Sequence, residues 1–504
     1  MQRLQEIDHL RRAVNVLIWD QNTYMPPGGA AARSSHQATL NRLAHAKFTD
    51  PALGRLLDAL EPLREALPPD SDEAAILFWV RRDYDRSRRV PEAFVARAAA
   101  HFSQLFQAWT EARPQDDWQA VRPLLEESLR LSQEFAAFFP EHQEPLDVFI
   151  DHSDPGMTAA RMDELFRELR EVLRPMVQAI KAHPPVDDRC LHQHYPVEGQ
   201  RAFGEMVAAC YGYDFQQGRQ DLAPHPFMIK IAQGDVRITT RYREDDLAIG
   251  LFSTLHETGH ALYEQNIHPR LADTPLDHGA SAGVHESQSR LWENLVGRSR
   301  PFWEHFYPRL QETFPDQLAQ VSLETFYRAI NKVQPSLIRT EADEVTYNLH
   351  IMLRFDLERA LLNQELRVAD LPEAWRARMA EDLGVVPSNH RDGVLQDIHW
   401  FSGFIGGSFQ GYTLGNIMGA QFFQAAMAEQ GPAIQEEMAQ GRFDALRTWL
   451  TERIYQHGGK FLPDTLIERV TGRPLSVQPY LEYLQRKYSE LYDLSTVQAG
   501  TPGD

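Results

Sequence analysis

The segment FSTLHETGHALYEQ, Phe252 to Gln265, carries His256, Glu257 and His260 inside an apolar run. Histidines four residues apart stand one helical turn apart on a shared face, so both imidazoles can converge on a single ion. Glu257, beside the first of them, is close enough to take a proton from water on that ion. The alternative is a helix that happens to hold two histidines, and a five-residue pattern of this kind also arises by chance. Gly259 weighs against that alternative. Glycine in a helix interior costs about 1 kcal/mol and calls for a close approach by something else.

A catalytic ion needs a third protein ligand. Glu264 is poorly placed, because its Cα lies about 12 Å along the axis from that of residue 256. The extended metalloprotease pattern would put glycine at 263 and histidine at 266, where this chain has Tyr263 and Asn266. The better candidate is Glu286 in SAGVHESQSRLWENLVG. Two histidines and a glutamate make the thermolysin-type catalytic zinc set, and Co2+ fits the same geometry. A helix-surface carboxylate paired with Arg290 is the rival reading of Glu286, and spacing alone leaves both open.

These groups need elements to position them. DDLAIGLFSTLHETGHALYEQ opens on Asp245 and Asp246, both N-cap types, and repeats Leu247, Leu251, Leu255 and Leu262 at helical spacing, which predicts a helix of about five turns. A second helix is expected from Ser281 as cap to Gly297 as terminator, and an antiparallel return would set Glu286 opposite the histidines. Upstream, FMIKIAQGDVRITTRYRE alternates β-branched and polar residues around Gly234-Asp235, predicting a small antiparallel β-sheet beside the metal helix. Most other long segments, DEVTYNLHIMLRFDLERALL among them, have helical periodicity. The expected fold is therefore mostly all-α. Proline and glycine clusters at 25–29, 183–188 and 384–393 mark loops, and no internal repeat is evident. One domain over 1–504 is expected, with lobes either side of a groove.

Hydrophobic residues at 43% and charged ones at 24% are ordinary for a soluble globular chain of 504 residues. No uninterrupted apolar segment approaches the roughly 20 residues of a membrane span, and MQRLQEIDHLRRAVNVLIWDQ lacks the pattern of a secretory signal. A cytoplasmic protein without a membrane partner is expected. The formal net charge of −20 argues against a nucleic-acid partner. Cys190 and Cys210 make neither a disulfide framework nor a thiolate cluster, and each reads as an inert buried thiol.

HETGH followed by HESQ, with DVRITT (235–240) upstream and IRTEAD (338–343) and GVLQDIHW (393–400) downstream, resembles the carboxypeptidase Taq family of thermostable metallocarboxypeptidases. The likeness runs from WDQNTYMPPGGAAAR to YLEYLQRKYSELY. It implies an almost all-helical, zincin-like and neurolysin-like fold around a deep groove, usually as a homodimer. The implied activity is removal of single residues from peptide C-termini with broad specificity. It also implies His256, His260 and Glu286 as metal ligands and Glu257 as general base. One departure stands out: the family's run of the type Gly-Tyr-Phe-Pro after the HW pair is replaced by FSGFIGGSFQGYTLGN (401–416), where Tyr412 is the nearby tyrosine and the candidate to substitute in substrate binding.

A carboxypeptidase must read a free carboxylate, which a guanidinium does through paired, charge-assisted hydrogen bonds. Arg339 and Arg237 are the candidates. Their alternatives are an exposed pair of Arg339 with Asp343, in a helix started by Pro335, and a strand-edge role for Arg237. His399 is a candidate oxyanion donor or a structurally satisfied histidine. Gln288, Glu341, Asp343 and Asp397 are candidates for orienting the metal-bound imidazoles from behind. Trp19 and Tyr24 are assigned to core packing. Two other functions remain for the same residues, an endo-acting zinc oligopeptidase and a non-catalytic peptide-binding scaffold.

Overall fold

The Asp246 carboxylate accepts from the backbone N–H groups of Ala248 and Ile249 and starts a helix over Leu247–Gln265. Leu247, Leu251, Leu255 and Leu262 are all buried along it, as their spacing predicts. Ser281 accepts from the Val284 N–H and starts a second helix, Ala282–Arg290. That helix continues into a π-helical turn, Leu291–Val296, before stopping at Gly297. The π-helical turn has no counterpart in the sequence periodicity; it is a local widening of the kind often found at functional sites.

Gly259 is where the two helices meet. A Cβ built there would lie 2.6 Å from the carbonyl oxygen of Gln288 and 2.6 Å from the Cα of Ser289, so only glycine permits this approach. Pairings at 256 with 293, 260 with 285, and 263 with 279 run in opposite senses along the two segments, making the pair antiparallel.

The sheet differs from the expectation in one respect. Strands β1 (Gln220–Leu222), β2 (Met228–Ala232) and β3 (Asp235–Thr240) lie in the order β1-β3-β2, with β2 antiparallel and β1 parallel to β3. The sheet is thus mixed. β1 is too short to leave a period in the sequence. Gly234, at φ +81°, makes the β2–β3 turn. Thr240 on β3 donates its hydroxyl to the Gly250 carbonyl of the histidine helix and fixes the sheet against it.

The computed structural model describes residues 1–494. These divide into two units. The first comprises 1–88, 187–330 and 422–474, and holds the sheet and both helices just described. The second comprises 89–186, 331–421 and the described residues from Leu475, and is built around a buried helix, Thr346–Leu362. No helix among the described residues is long and apolar enough to cross a membrane. Cys190 is buried, whereas Cys210 is exposed, contrary to the expectation of two buried thiols; it sits on the solvent side of the helix Val197–Tyr211.

Candidate metal centre

His256, His260 and Glu286 converge. One ligand atom from each lies within 4.8 Å of the others. The Nε2 atoms of His256 and His260 stand 3.6 Å and 3.3 Å from the same Glu286 oxygen, Oε2. Ligands about 2.05 Å from a tetrahedral ion are separated from one another by about 3.3 Å, so this spacing fits a tetrahedral metal ion. Arg290 does pair with Glu286, its Nε donating to Oε1 at 2.7 Å. Glu286 is buried rather than on the helix surface: one oxygen rests on the guanidinium and the other faces the imidazoles.

The groups behind the imidazoles were not legible as such. Nδ1 of His256 lies 2.9 Å from Oε2 of Glu293, and Nδ1 of His260 lies 2.6 Å from Nδ1 of His285. Glu293 also accepts from Arg290 at 3.2 Å, so Glu286, Arg290 and Glu293 form one charged face at spacings of four and three. That spacing was the available signal for Glu293. His285 directly precedes Glu286 in the chain, and its direction is set only by how the two helices cross.

Burial opposes ionisation of Glu286, but Arg290 and His256 outweigh it and hold the carboxyl well below its usual range. Glu293 is lowered to about 2 in the same way, burial being overcome by Arg290 and by the hydrogen bond to His256. Burial depresses His260 to about 4, with the neighbouring histidines adding to it against Glu286. Glu257 is the exception among the carboxylates. It is 6% exposed, and burial pushes it up to about 7, with Glu286 and Glu293 reinforcing the rise and His256 opposing it. It is thus a carboxyl poised to exchange a proton near neutrality.

Other sequence candidates have different partners. Gln288 accepts from the Tyr455 hydroxyl at 3.0 Å and donates to Ser287, so it does not orient an imidazole. Asp343 caps the helix Thr346–Leu362, accepting from the Val345 and Thr346 N–H groups and the Thr346 hydroxyl. No i,i+4 pair forms between it and Arg339, which lies in a 3-10 turn, Arg339–Glu341, and no helix starts at Pro335. Asp397 is instead the anchor of Arg339, receiving Nε at 2.9 Å and Nη2 at 2.7 Å, while Nη1 of Arg339 donates to the Tyr347 hydroxyl at 3.0 Å. Asp397 also receives Nε of the fully buried Arg354 at 2.7 Å. Sequence reasoning did not single out Arg354, which sits inside an apolar helical run. His399 is bracketed by Asp397, 3.2 Å from Nδ1, and the Tyr412 hydroxyl, 3.3 Å from Nε2.

Arg237 lies on the central strand of the sheet, so the strand-edge alternative does not hold. Its Nε and Nη2 both donate to Asp235, and its guanidinium lies 4.3 Å from the Trp19 ring centre. Trp19 is buried, but Tyr24 is 60% exposed and donates to Asp221, so Tyr24 is not a core residue.

Two imidazole nitrogens and a carboxylate oxygen around one point, with a second buried carboxyl held up near 7 beside them, are a donor set that could hold a divalent ion on a helical scaffold. The profile of the carboxypeptidase Taq (M32) metallopeptidase family matches residues 1–488. Thermostable carboxypeptidase 1 of Thermus thermophilus is 46% identical over 94% of each chain, and carboxypeptidase 1 of Bacillus subtilis is 36% identical over 97% of each. The crystal structure of the M32 carboxypeptidase from Deinococcus radiodurans R1 superposes with a TM-score of 0.95 at 48% identity, covering 98% of both chains. The chain belongs to the carboxypeptidase Taq (M32) metallopeptidase family. It is accordingly a metallocarboxypeptidase, a peptide hydrolase that requires a divalent metal, as the resemblance in its motifs implies.

Proposed function

We propose that the protein is a zinc carboxypeptidase that removes single residues from peptide C-termini with broad specificity, His256, His260 and Glu286 holding the ion and Glu257 acting as general base. The observation that carries this reading is the convergence of the two Nε2 atoms on Oε2 of Glu286. A divalent ion held by these groups supplies Lewis-acid polarisation of a carbonyl and makes water more acidic; Co2+ would serve equally.

Glu257 takes the proton of the attacking water and passes it to the leaving amine. A carboxyl near pH 7 suits both directions of that transfer. Arg339 reads the substrate carboxylate. Three of its five N–H groups are engaged by Asp397 and Tyr347, and the remaining two are the donors for the substrate. Arg237, over the Trp19 ring, is assigned the second contact, and Tyr412 a place beside the bound residue. His399, with Asp397 at Nδ1 and the Tyr412 hydroxyl at Nε2, is assigned as a further catalytic candidate, the oxyanion donor of the sequence reading. We also assign the protein to the cytoplasm, and as a homodimer, whose mass light scattering on the purified protein tests directly.

Chelation should abolish hydrolysis, and one equivalent of Zn2+ or Co2+ per chain should restore it. Activity that survives exhaustive chelation would overturn the assignment.

A further inference from the structure

The two imidazoles of the metal centre are held from behind in chemically different ways. His256 backs onto Glu293, a carboxylate that only accepts. His260 backs onto another imidazole, Nδ1 to Nδ1 at 2.6 Å, and two ring nitrogens can bond only if one carries the proton and the other a lone pair. Which one does is decided a step further out. Nε2 of His285 lies 3.0 Å from Oε1 of Glu264, which also accepts from the Gly279 N–H at 2.8 Å. The other oxygen of Glu264 is 3.1 Å from the Lys230 ammonium, which Asp277 holds in turn at 2.6 Å.

Ionised beside Lys230, Glu264 can only accept, so a neutral His285 ring carries its proton on Nε2 and presents a lone pair at Nδ1. His260 must then carry its proton on Nδ1. Its Nε2 is left as a lone pair, directed toward Oε2 of Glu286 at 3.3 Å. The His285 ring packs closely against the Gly279 backbone and Tyr263. A Cβ at Gly279 would lie 2.5 Å from its Cδ2, and Tyr263 stands against it at 5.4 Å between ring centres.

We propose that His285, held by Glu264, is a positioning residue that fixes the tautomer and ring direction of His260 and so sets the affinity of the site for its metal. The inference rests on the metal-binding reading given above. It also accounts for Glu264, a buried carboxylate on the histidine helix that is out of reach of the ion. Glu264 acts on the centre through His285.

The test is metal affinity of the full-length, chelator-stripped protein, measured by competition titration with Zn2+ and Co2+, together with the visible spectrum of the Co2+ form. His285→Leu should weaken binding by about 10- to 100-fold and shift the Co2+ bands. His285→Asn, which keeps an acceptor facing His260, should restore most of the affinity. Glu264→Met should weaken binding as well, and the double variant His285→Leu with Glu264→Met should bind no more weakly than His285→Leu alone, because both changes break one chain of bonds. Unchanged affinity and spectrum in His285→Leu, or losses that simply add in the double variant, would overturn the proposal. If His285→Leu does not fold, Glu264→Met decides alone, and wild-type affinity in it would count against the relay. Wild-type protein that binds neither ion would instead overturn the metal-centre reading.

Discussion

Glu257→Gln should make the metal-free protein more stable, and by an amount that depends on pH. The carboxyl rises from 4.5 to about 7 because it is buried. Below pH 4.5 it is protonated in the folded and unfolded chains alike, and burial costs nothing extra. Between pH 4.5 and 7 the unfolded chain gives up its proton while the folded chain keeps it, so stability falls as pH rises. Above pH 7 the full difference applies, about 3 kcal/mol. Glutamine is neutral throughout and has no such cost. The variant should therefore match the wild type at pH 4.5 and exceed it by about 3 kcal/mol at pH 8. Urea unfolding of chelator-treated wild type and variant at pH 4.5, 6 and 8 reads this directly. A gain that is independent of pH, or a loss at pH 8, would refute the assignment of Glu257 as a carboxyl held out of water for use in catalysis.

The same Glu257→Gln variant, loaded with metal, should bind one equivalent like the wild type yet turn over about 10²- to 10⁴-fold more slowly, as steady-state kinetics with parallel metal analysis would show. Gly259→Ala should destabilise by about 1–3 kcal/mol in thermal or urea unfolding, because its Cβ meets the backbone of Gln288 and Ser289 rather than a side chain that can move. Arg339→Ala should depress cleavage of peptides with free C-termini far more than any residual cleavage of their amides; equal loss on both would remove Arg339 from carboxylate recognition.

Positions that follow from spacing along one helix were readable in the sequence. His256 and His260 share a face by periodicity, the leucines around them are buried, and Gly259 does mark a close approach. Glu286 could be placed opposite them because caps at Ser281 and Gly297 bounded its segment. What spacing cannot give is which side chain stands behind which once two helices cross. Hence Glu293 and His285 back the imidazoles, whereas Gln288 is taken by Tyr455. In the second unit, Asp343 followed the local chemistry of a helix cap. Asp397, lying 58 residues from Arg339, formed a buried fork that no local rule foretells. β1 was missed because three residues leave no period, and its parallel pairing made the sheet mixed.

The most direct test of the central claim is mass spectrometry of one peptide offered as free acid and as C-terminal amide to the metal-loaded protein, with Glu257→Gln as control. Stepwise loss of single residues from the free acid alone, absent in the variant, is expected. Internal cuts in both forms, or equal trimming by the variant, would contradict it.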